Sequence, residues 1–369
     1  MSTPPPPLDE LRKRIDHVDQ QLVHWINERA KIVVDVGKHK IETGLPTYSP
    51  HREAAVLSRV QKLNDGPTLP RTIEAIYREI MSGSFALEQP IRIGYLGPPG
   101  TYSHLAAARH FGSSVEFDDL HAITGVFEEV ARGHVDYGLV PIENSTGGSI
   151  TETLDAFLQY HSDLRLYGEL QLAVHCCLLT ECQPHEVKTI YGRPESFAQC
   201  RAWLATQYPE AELVAVESSA GGALRAKEEH EADRQAGTAA IGSPLAGEIY
   251  GLHPLFEQIE DRRSNVTRFL IVSKQETEPS GNDKTSLMFT TLDKPGALAD
   301  VLGVFKRAGI NLTHIDKCPT RGANWEYTFF VDALGHRKDP EFAELIGEVR
   351  AFSKQLTVLG SYPKSKQVL

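Results

Sequence analysis

The stretch LDELRKRIDHVDQQLVHWINERAKIVVDVGKHKIE, residues 8–42, predicts one long α-helix near the start of the chain. Apolar side chains return along it at heptad-like intervals, at Leu8, Leu11, Ile15, Val18, Leu22, Trp25, Ile32 and Val36. Such a seam is typical of a helix that packs along its whole length against other helices. At about 1.5 Å per residue the helix is roughly 50 Å long. Gly44 and Pro46 are expected to end it.

Two shorter helices are predicted after it, from about Pro50 to Leu63 and from Pro70 to Leu87. A first helix of this length cannot bury its apolar stripe inside so small a domain. We therefore expect an intertwined dimer, in which a second copy of the chain covers the stripe.

From Pro90 onward the pattern changes to strands that alternate with helices. The first strand is Ile91–Leu96, the helix behind it is Tyr102–Phe111, and a later helix covers about Ser149–Gln159. Further strands are predicted at Tyr137–Val140, Leu170–Leu179, Thr189–Tyr191, Glu212–Val216, Ala239–Ile241 and Arg268–Val272. This order predicts an α/β region of two lobes with a cleft between them, which a polar linker at Lys274–Asp283 closes.

The last segment has the element order βαββαβ, which is typical of a ferredoxin-like fold. Its predicted elements are Thr285–Thr291, Gly296–Ala308, Asn311–Lys317, Trp325–Ala333, Pro340–Ser353 and Thr357–Tyr362. A chain of 369 residues has room for the three domains that these patterns indicate.

Composition and charge exclude several classes of protein. With 41% hydrophobic and 24% charged residues the chain is globular, and its net charge of −11 argues against a nucleic-acid or anionic-membrane partner. It has no run of about 18 apolar residues that would cross a membrane. The first residues lack a signal-peptide pattern, and five cysteines without a CxxC pair do not predict a disulfide framework. We therefore expect a cytoplasmic enzyme.

A charged residue occupies the apolar seam of the first helix. Continuing the heptad places Arg29 there, where an unpaired charge costs free energy. Lys40 follows eleven residues later, about three helical turns, so both cations point to nearly the same side. Either an interhelical ion pair or a bound anion would satisfy them. Arg12, Arg52 and Glu53 are further candidates near the seam or on the next helix.

Four short motifs lie in order within residues 8–89: Leu11-Arg12-xx-Ile15, Asn27-Glu28-Arg29, Gly37-Lys38-His39-Lys40 and Pro50-His51-Arg52-Glu53-Ala54. In these the segment resembles the all-helical chorismate mutases. That family rearranges chorismate to prephenate, which needs clamped carboxylates and a stabilised ether oxygen. The resemblance implies that Arg29 and the partner chain's copy of Arg12 hold the carboxylates. It also implies that Lys40 faces the ether oxygen and Glu53 the ring hydroxyl.

The end of the third helix would complete this mutase site. Here the family uses Gln or Glu against the ether oxygen, and this chain has Glu88, with Ser84 one turn earlier. The family often has an acidic residue where Ser49 stands, and Arg52 is counted with the site. A glutamate can donate a hydrogen bond only when it is protonated, so we expect mutase activity to fall as the pH rises.

Three junctions between strands and helices are rich in small and hydroxyl residues. They are residues 97–104 (GPPGTYSH), 141–149 (PIENSTGGS) and 265–269 (NVTRF). A helix N-terminus follows the first two, and its free N–H groups suit a carboxylate or phosphate. The first junction lacks the Gly-Lys-Ser/Thr of a P-loop and the spacing of a dinucleotide fingerprint. Taken one at a time, each junction also fits ordinary turn chemistry.

The sequences GYLGPPGTYSH, VPIENS, IGSPLAGEIYGL and NVTRF, and the loop Ser218-Ser219-Ala220, all lie within residues 91–273. In these the region closely resembles the prephenate dehydratases, which convert prephenate to phenylpyruvate, carbon dioxide and water without a metal or cofactor. The resemblance implies that Thr267 sits at the reacting hydroxyl and that Arg268 is a carboxylate anchor or a structural anchor. The other residues expected at this site are Asn144, Gln199, Thr101, Glu143 and Ser103.

Threonine is an unusual acid, because an unassisted hydroxyl has far too high a pKa to donate its proton readily. Thr267 could instead orient the leaving group while aromatisation drives its departure. The chain departs from the family at Gly192-Arg193-Pro194, where Ser-His commonly precedes the proline, and Arg193 could bind substrate in that place. His175, in an apolar strand beside Cys176 and Cys177, is interpreted as a core residue and not as a metal ligand.

Two segments near the C-terminus, Lys294-Pro295-Gly296-Ala297-Leu298 and Leu312-Thr313-His314-Ile315-Asp316-Lys317-Cys318-Pro319, make residues 285–363 resemble ACT domains. Such domains bind amino acids at domain interfaces. The implied ligand residues are Gly296, Ala297, Leu298, Asp316 and Pro319. Phenylalanine-regulated dehydratases usually carry Glu-Ser-Arg-Pro where this chain has Asp316-Lys317-Cys318-Pro319. We expect phenylalanine as an effector; the alternative is a domain retained for dimerisation only.

The resemblances together cover nearly the whole chain. They imply a chorismate mutase domain at 8–89, a two-lobed dehydratase domain like a periplasmic binding protein at 90–274, and a ferredoxin-like ACT domain at 284–363. We expect an enzyme of phenylalanine biosynthesis with chorismate and prephenate as substrates, no cofactor and no metal. We expect it to form a homodimer or a higher homo-oligomer, without nucleic-acid or membrane partners.

Other functions remain as alternatives. One is a prephenate or arogenate dehydratase with a degenerate mutase module, and another is a non-enzymatic binding protein that responds to amino acids. A solute-binding receptor would need an export signal, and a transcriptional regulator would need a basic recognition helix. A fusion of a mutase with a dehydrogenase would need GxGxxG after the first strand past residue 90, and that motif is missing.

Overall fold

A computed structural model describes residues 6–319, 327–365 and 367–369 of the chain. The described residues form two compact units. One unit holds the residues up to Tyr48 together with Val60–Ile91 and Phe111–Val115, and the other holds Ser49–Arg59, Arg92–His110 and Glu116–Leu369.

Three helices form the N-terminal region, and their positions confirm the predicted ones: α1 (Leu8–Thr43), α2 (Pro50–Leu63) and α3 (Pro70–Glu88). Gly44 ends α1 at φ 68°, a left-handed conformation that glycine adopts without steric cost. Most of the apolar stripe of α1 is exposed in the single chain; Leu8, Ile15, Leu22, Trp25 and Ile32 are each more than half exposed. No helix within the described ranges combines the length and apolarity needed to cross a membrane.

The α/β region follows. In chain order its elements are β1 (Arg92–Leu96), α4 (Tyr102–Phe111), β2 (Glu116–Leu120), α5 (Ile123–Arg132), β3 (Tyr137–Asn144), β4 (Gly148–Ser149), α6 (Thr151–Tyr160), β5 (Arg165–Ala173), β6 (Cys177–Thr180), β7 (Thr189–Gly192), α7 (Pro194–Gln199), α8 (Arg201–Gln207), β8 (Glu212–Ala215), α9 (Ser219–Ala232), β9 (Thr238–Gly242), α10 (Pro244–Tyr250), β10 (His253–Phe256) and β11 (Val266–Ser273). Strands β2, β4 and β10 were not predicted from the sequence.

These strands form two sheets, one in each of the two lobes that the sequence predicted. The first lobe has the order β2-β1-β3-β11-β5, with β4 paired to β3, and the second has β10-β6-β9-β7-β8. In the first lobe β1 is parallel to β2 and β3, whereas β11 runs antiparallel to both of its neighbours, β3 and β5. The last strand of the region therefore lies between two strands, β3 and β5, that belong to the first half of the region.

The prediction of a single strand at Leu170–Leu179 is wrong. Its residues belong to β5 and β6, which lie in different sheets, and the chain crosses from the first lobe to the second at residues 174–176. A continuous apolar run reads the same whether one sheet or two bury it, so periodicity could not reveal the crossing. The predicted linker also ends too late, because Asp283 already belongs to a strand of the next domain.

The C-terminal domain has the predicted βαββαβ order, with elements β12 (Asp283–Thr291), α11 (Ala297–Arg307), β13 (Leu312–Pro319), β14 (Tyr327–Leu334), α12 (Pro340–Phe352) and β15 (Ser353–Pro363). Its antiparallel sheet has the order β13-β14-β12-β15, which confirms a ferredoxin-like fold. The first two residues of the strand predicted at Trp325–Ala333 lie outside the described residues.

The two faces of this sheet pack against different partners. Helices α11 and α12 cover one face through Val301, Phe305 and Leu345. On the other face Phe330 and other apolar residues join the core of the first lobe, where the ring of Phe330 lies 6.0 Å from that of Phe157 in α6. The C-terminal domain and the first lobe thus share one hydrophobic core.

Candidate active sites

Cations of α1 meet polar groups of α3 in the first unit. Arg29 Nη1 donates to Ser84 Oγ at 2.6 Å. Lys40 Nζ lies 2.5 Å from Glu88 Oε2 and 2.9 Å from the carbonyl oxygen of Thr47. Four of the residues predicted for the mutase site are therefore brought together in two pairs.

Gly37 permits the close approach of these two helices. A Cβ added at this position would lie 2.9 Å from the Cα of Glu88, closer than real Cβ atoms come to a backbone atom. Because Gly37 stands about one turn before Lys40 on α1, its missing side chain lets Glu88 come within reach of the ammonium group.

The other mutase candidates are not members of these two pairs. Arg12 is about 25 Å from Arg29 along the axis of α1, is mostly exposed, and has Asp9 at 3.6 Å as an acidic neighbour. Arg52 is exposed and Glu53 half-buried, and both belong to the second unit.

The dehydratase candidates lie on two neighbouring strands of the first lobe. Across the antiparallel pair β3–β11, Thr267 lies opposite Asn144 and Arg268 lies opposite Glu143. Successive side chains of a strand point to opposite faces of its sheet. Thr267 and Asn144 therefore share one face, which we call the front face, and Arg268 and Glu143 share the rear face.

On the front face an amide orients the threonine hydroxyl. Asn144 Oδ1 accepts hydrogen bonds from the backbone N–H groups of Thr146 and Gly147, at 3.0 and 2.9 Å. Asn144 Nδ2 therefore donates to Thr267 Oγ1 and to Asn265 Oδ1, both at 2.8 Å. Since Thr267 Oγ1 accepts this bond, the hydrogen of its own hydroxyl is left to bind another acceptor.

The second lobe reaches the front face through one glutamine. Gln199, at the end of α7, accepts from Asn265 Nδ2 at 3.0 Å and donates to Thr146 Oγ1 at 3.3 Å. Sequence reasoning missed Asn265 and Thr146 as site residues. For Asn265 a signal existed, because residues two apart on a strand share a face and Asn265 precedes Thr267 by two.

Two other candidates, Thr101 and Ser103, lie at the start of α4 and in the loop before it. Thr101 Oγ1 donates to the carbonyl oxygen of Leu96 at 3.0 Å and accepts from the N–H of His104 at 3.3 Å, so this hydroxyl caps the helix. Ser103 is buried in the first turn of α4. The loop is also tied to the second lobe, because Ser243 Oγ donates to the carbonyl oxygen of Gly100 at 2.7 Å.

On the rear face Arg268 is held by the carboxylates of Glu169 and Asp332, at 2.7 and 2.6 Å. Lys284 Nζ lies 3.0 Å from the same Glu169 oxygen that Arg268 contacts. We call these four side chains, all at most 9% exposed, the rear cluster. Arg268 Nη2 also donates to the hydroxyl of Tyr362 at 3.1 Å.

The rear cluster keeps Arg268 charged. Burial by itself would lower the pKa of Arg268, but the hydroxyl oxygen of Tyr362 and the carboxylates of Asp332 and Glu169 outweigh burial and raise that pKa above its usual value. These contacts favour the structural one of the two roles predicted for Arg268. Glu143 also faces the C-terminal domain, with Oε2 at 3.3 Å from His314 Nδ1.

The candidate effector residues lie at the start of α11 and along β13. Gly296 caps α11 at φ 80° and is exposed, Ala297 is buried and Leu298 half-buried. Asp316 Oδ1 accepts from the N–H of Lys317, and Pro319 is exposed at the end of β13. In the second lobe, Arg193 is half exposed and its guanidinium lies 3.3 Å from Glu195.

Comparison with known proteins matches three families to successive parts of the chain. They are Chorismate mutase type II at residues 11–89, Prephenate dehydratase at 93–277 and ACT domain at 285–351. A bifunctional chorismate mutase/prephenate dehydratase of Pseudomonas aeruginosa is 43% identical over 97% of this chain and 98% of its own. This chain belongs to the bifunctional chorismate mutase/prephenate dehydratases.

Two further relatives agree with this assignment. The bifunctional chorismate mutase/prephenate dehydratase of Aquifex aeolicus is 39% identical over 97% of this chain and 98% of its own. The crystal structure of a prephenate dehydratase from Arthrobacter aurescens in complex with L-Phe is 32% identical, with a TM-score of 0.68 over 76% of this chain and 92% of that one. This bifunctional family member is thus an isomerase and a lyase with a C-terminal ACT domain.

The contact between Lys40 and Glu88 generates a prediction for the mutase. Glu88 Oε2 accepts from the ammonium group of Lys40, so its carboxylate helps to hold that cation in place. We expect Glu88→Ala to lower the mutase rate by about tenfold or more, because Lys40 loses this acceptor. Glu88→Gln keeps an acceptor oxygen and should stay closer to the unchanged chain. Initial rates of chorismate consumption compare the three chains; equal rates in Glu88→Ala and the unchanged chain would contradict the role of Glu88.

Proposed function

We propose that the two reactions of this chain take place in separate sites, a mutase site in the domain at residues 8–89 and a dehydratase site in the domain at 90–274. The domain at 284–363 would regulate them. The observation that carries the dehydratase assignment is the hydrogen bond from Asn144 to Thr267, because Thr267 Oγ1 accepts it and keeps its own hydrogen for donation to a bound substrate.

The mutase mechanism is electrostatic. The rearrangement of chorismate forms no bond to the enzyme, so fixed charges must hold its two carboxylates and stabilise the oxygen that gains negative charge. Arg29, oriented by Ser84, would hold one carboxylate. Lys40, placed by Glu88 and the carbonyl oxygen of Thr47, would donate to the ether oxygen.

In the dehydratase reaction the ring hydroxyl is a poor leaving group. Prephenate loses its ring carboxylate as carbon dioxide, and the electron pair of the broken C–C bond enters the ring as the C–O bond to the ring hydroxyl breaks. The departing hydroxyl takes up one proton and leaves as water. Thr267, accepting from Asn144, would donate its hydrogen bond to that departing oxygen, while Gln199 holds the second lobe against Asn265. Aromatisation of the ring supplies the driving force.

Replacing Thr267 by valine tests this role, since valine keeps the shape and removes the donor. With chorismate as the only substrate, Thr267→Val should consume chorismate at the unchanged rate and accumulate prephenate, with phenylpyruvate formation reduced about a hundredfold or more. Thr267→Ser keeps a hydroxyl and is the matched control, expected to form phenylpyruvate within about tenfold of the unchanged chain. The three compounds are followed over time. Rapid phenylpyruvate formation by Thr267→Val would contradict the assignment.

We also propose that two copies of the chain form an intertwined dimer. The support is the exposed apolar stripe of α1, because a stripe of this length is covered when helices of two chains pack together. The distance of about 25 Å between Arg12 and Arg29 along α1 adds to this. In the dimer the partner's Arg12 would complete the mutase site that contains Arg29.

Mixing two inactive variants tests the shared site. Arg12→Ala and Arg29→Ala should each lose mutase activity, while a co-refolded equal mixture should recover about one quarter of the unchanged rate. The reason is that half of the randomly formed dimers are mixed, and each mixed dimer has one intact site out of two. Prephenate consumption in the same samples controls for folding. No recovery in mixtures shown to exchange subunits would place both arginines in the same chain's site.

Phenylalanine is the effector that we propose for the ACT domain. The related dehydratase from Arthrobacter aurescens is described in complex with L-Phe, and the exposed start of α11 offers backbone close to solvent at Gly296. Gly296, Ala297, Leu298, Asp316 and Pro319 would form the binding site.

Added L-phenylalanine should slow phenylpyruvate formation from prephenate by the unchanged chain. Gly296→Val should weaken the inhibition about tenfold or more, because φ 80° strains a residue with a branched side chain at the ligand segment. The measurement is the phenylalanine concentration that halves the rate, with D-phenylalanine as the control ligand. Equal response to both enantiomers, or none to either, would contradict a specific site.

A further inference from the structure

The two lobes of the dehydratase domain are joined by two crossing segments, residues 174–176 and 257–265. They lie side by side, because the N–H of Val174 donates to the carbonyl oxygen of Asn265 at 2.9 Å and the N–H of Ile259 donates to that of Cys176 at 3.0 Å. Any change in the angle between the lobes must bend both segments. Side chains that link one crossing segment to the other therefore help to fix the angle between the two lobes.

A carboxylate with almost no exposure ties the two segments together. The side chain of Glu260 is 1% exposed. One of its oxygens lies 2.8 Å from His175 Nδ1, and the other accepts from the N–H of Cys176 at 2.9 Å. Burying a carboxylate costs free energy unless both of its oxygens accept hydrogen bonds, and the two contacts of Glu260 meet this need. The hydroxyl of Tyr102, from the first lobe, donates to the carbonyl oxygen of His175 at 2.9 Å.

Asp261, the residue after Glu260, connects this crossing segment to the second lobe. Asp261 accepts from the N–H groups of Ala202 and Trp203 at the start of α8, at 2.9 and 3.1 Å. Its own N–H donates to the carbonyl oxygen of Gln199 at 2.8 Å. The backbone of Gln199 is thus fixed by the residue that follows Glu260, while the side chain of Gln199 binds Asn265 on the front face.

We propose that His175 and Glu260 are a positioning pair for dehydration, a role that rests on the dehydratase site proposed above. Neither side chain belongs to the hydrogen-bonded group formed by Asn144, Gln199 and Thr267. The pair acts through the hinge: it holds the crossing segments at the angle at which Gln199 of the second lobe reaches the first. A shift of about 1 Å in such a group can lower a rate a hundredfold.

His175 is suited to substitution because its surroundings leave space. The side chain is 34% exposed, and it borders a cavity of about 160 Å³ that Arg109, Glu257 and Gln258 also line. Replacing His175 by asparagine or by glutamine distinguishes a positioning role of its Nδ1 from a packing role of the whole side chain. Asparagine places its N–H₂ group where Nδ1 of histidine stands, and glutamine places it where Nε2 stands. Glutamine is the closer match in volume, whereas only asparagine can donate to Glu260 from the right place.

The experiment compares His175→Asn with His175→Gln, each in the full-length chain. The quantity measured is the ratio of kcat/KM for prephenate to kcat/KM for chorismate, so that the mutase of the same molecule reports on correctly folded protein. We expect His175→Asn to keep this ratio within about threefold of the unchanged chain and His175→Gln to lower it ten- to a hundredfold.

Equal ratios in the two variants, or a higher ratio in His175→Gln, would overturn the positioning role and leave His175 a packing residue. Thr267→Val is measured beside them. If that variant still turns over prephenate, the proposed dehydratase site is wrong; if it is inactive while both His175 variants match the unchanged chain, only the positioning pair is wrong.

Discussion

The rear cluster is the interaction on which the α/β region and the ACT domain both depend. Two cations, Arg268 and Lys284, face two carboxylates, Glu169 and Asp332, and all four side chains are removed from water. Charges in such a place are stable only as a complete set, because removing one leaves another unpaired at a cost of about 3–5 kcal/mol. Two of the four residues come from the ACT domain. The ACT domain therefore cannot shift slightly against the first lobe without separating these buried charges from their partners.

The alternation of a single strand connects this cluster to the chemistry. Arg268 follows Thr267 in β11, so the residue that contacts the ACT domain and the residue on the front face are adjacent in the chain and opposite in direction. The neighbouring strand repeats the arrangement, since Asn144 faces Thr267 and Glu143 faces His314. His314 lies two residues before Asp316 on β13. The strands that hold the front face and the strand that contains a proposed effector segment are therefore linked through direct contacts.

Much of this organisation follows from local sequence. The heptad seam of residues 8–42, the alternation of strands and helices after residue 90 and the βαββαβ order at the end each predict an element from its own residues. The resemblance to the prephenate dehydratases implied Asn144, Gln199 and Thr267, and two of these, Asn144 and Thr267, stand in the short motifs VPIENS and NVTRF. In the same way the misplaced charge of Arg29 was visible, since one helical period is enough to show it.

The partners of buried groups could not be predicted in this way. The run Leu170–Leu179 gave no sign that it is divided between two sheets, and the direction of Arg268 depends on carboxylates 99 residues before it and 64 residues after it in the chain. His175 was interpreted as a core residue, yet it binds Glu260, 85 residues away. By itself the sequence determined the positions of most helices and strands, because periodicity and turn chemistry act over a few residues. Only the tertiary structure decided which charges meet, because the desolvation that makes a charge seek a partner arises when distant segments pack together.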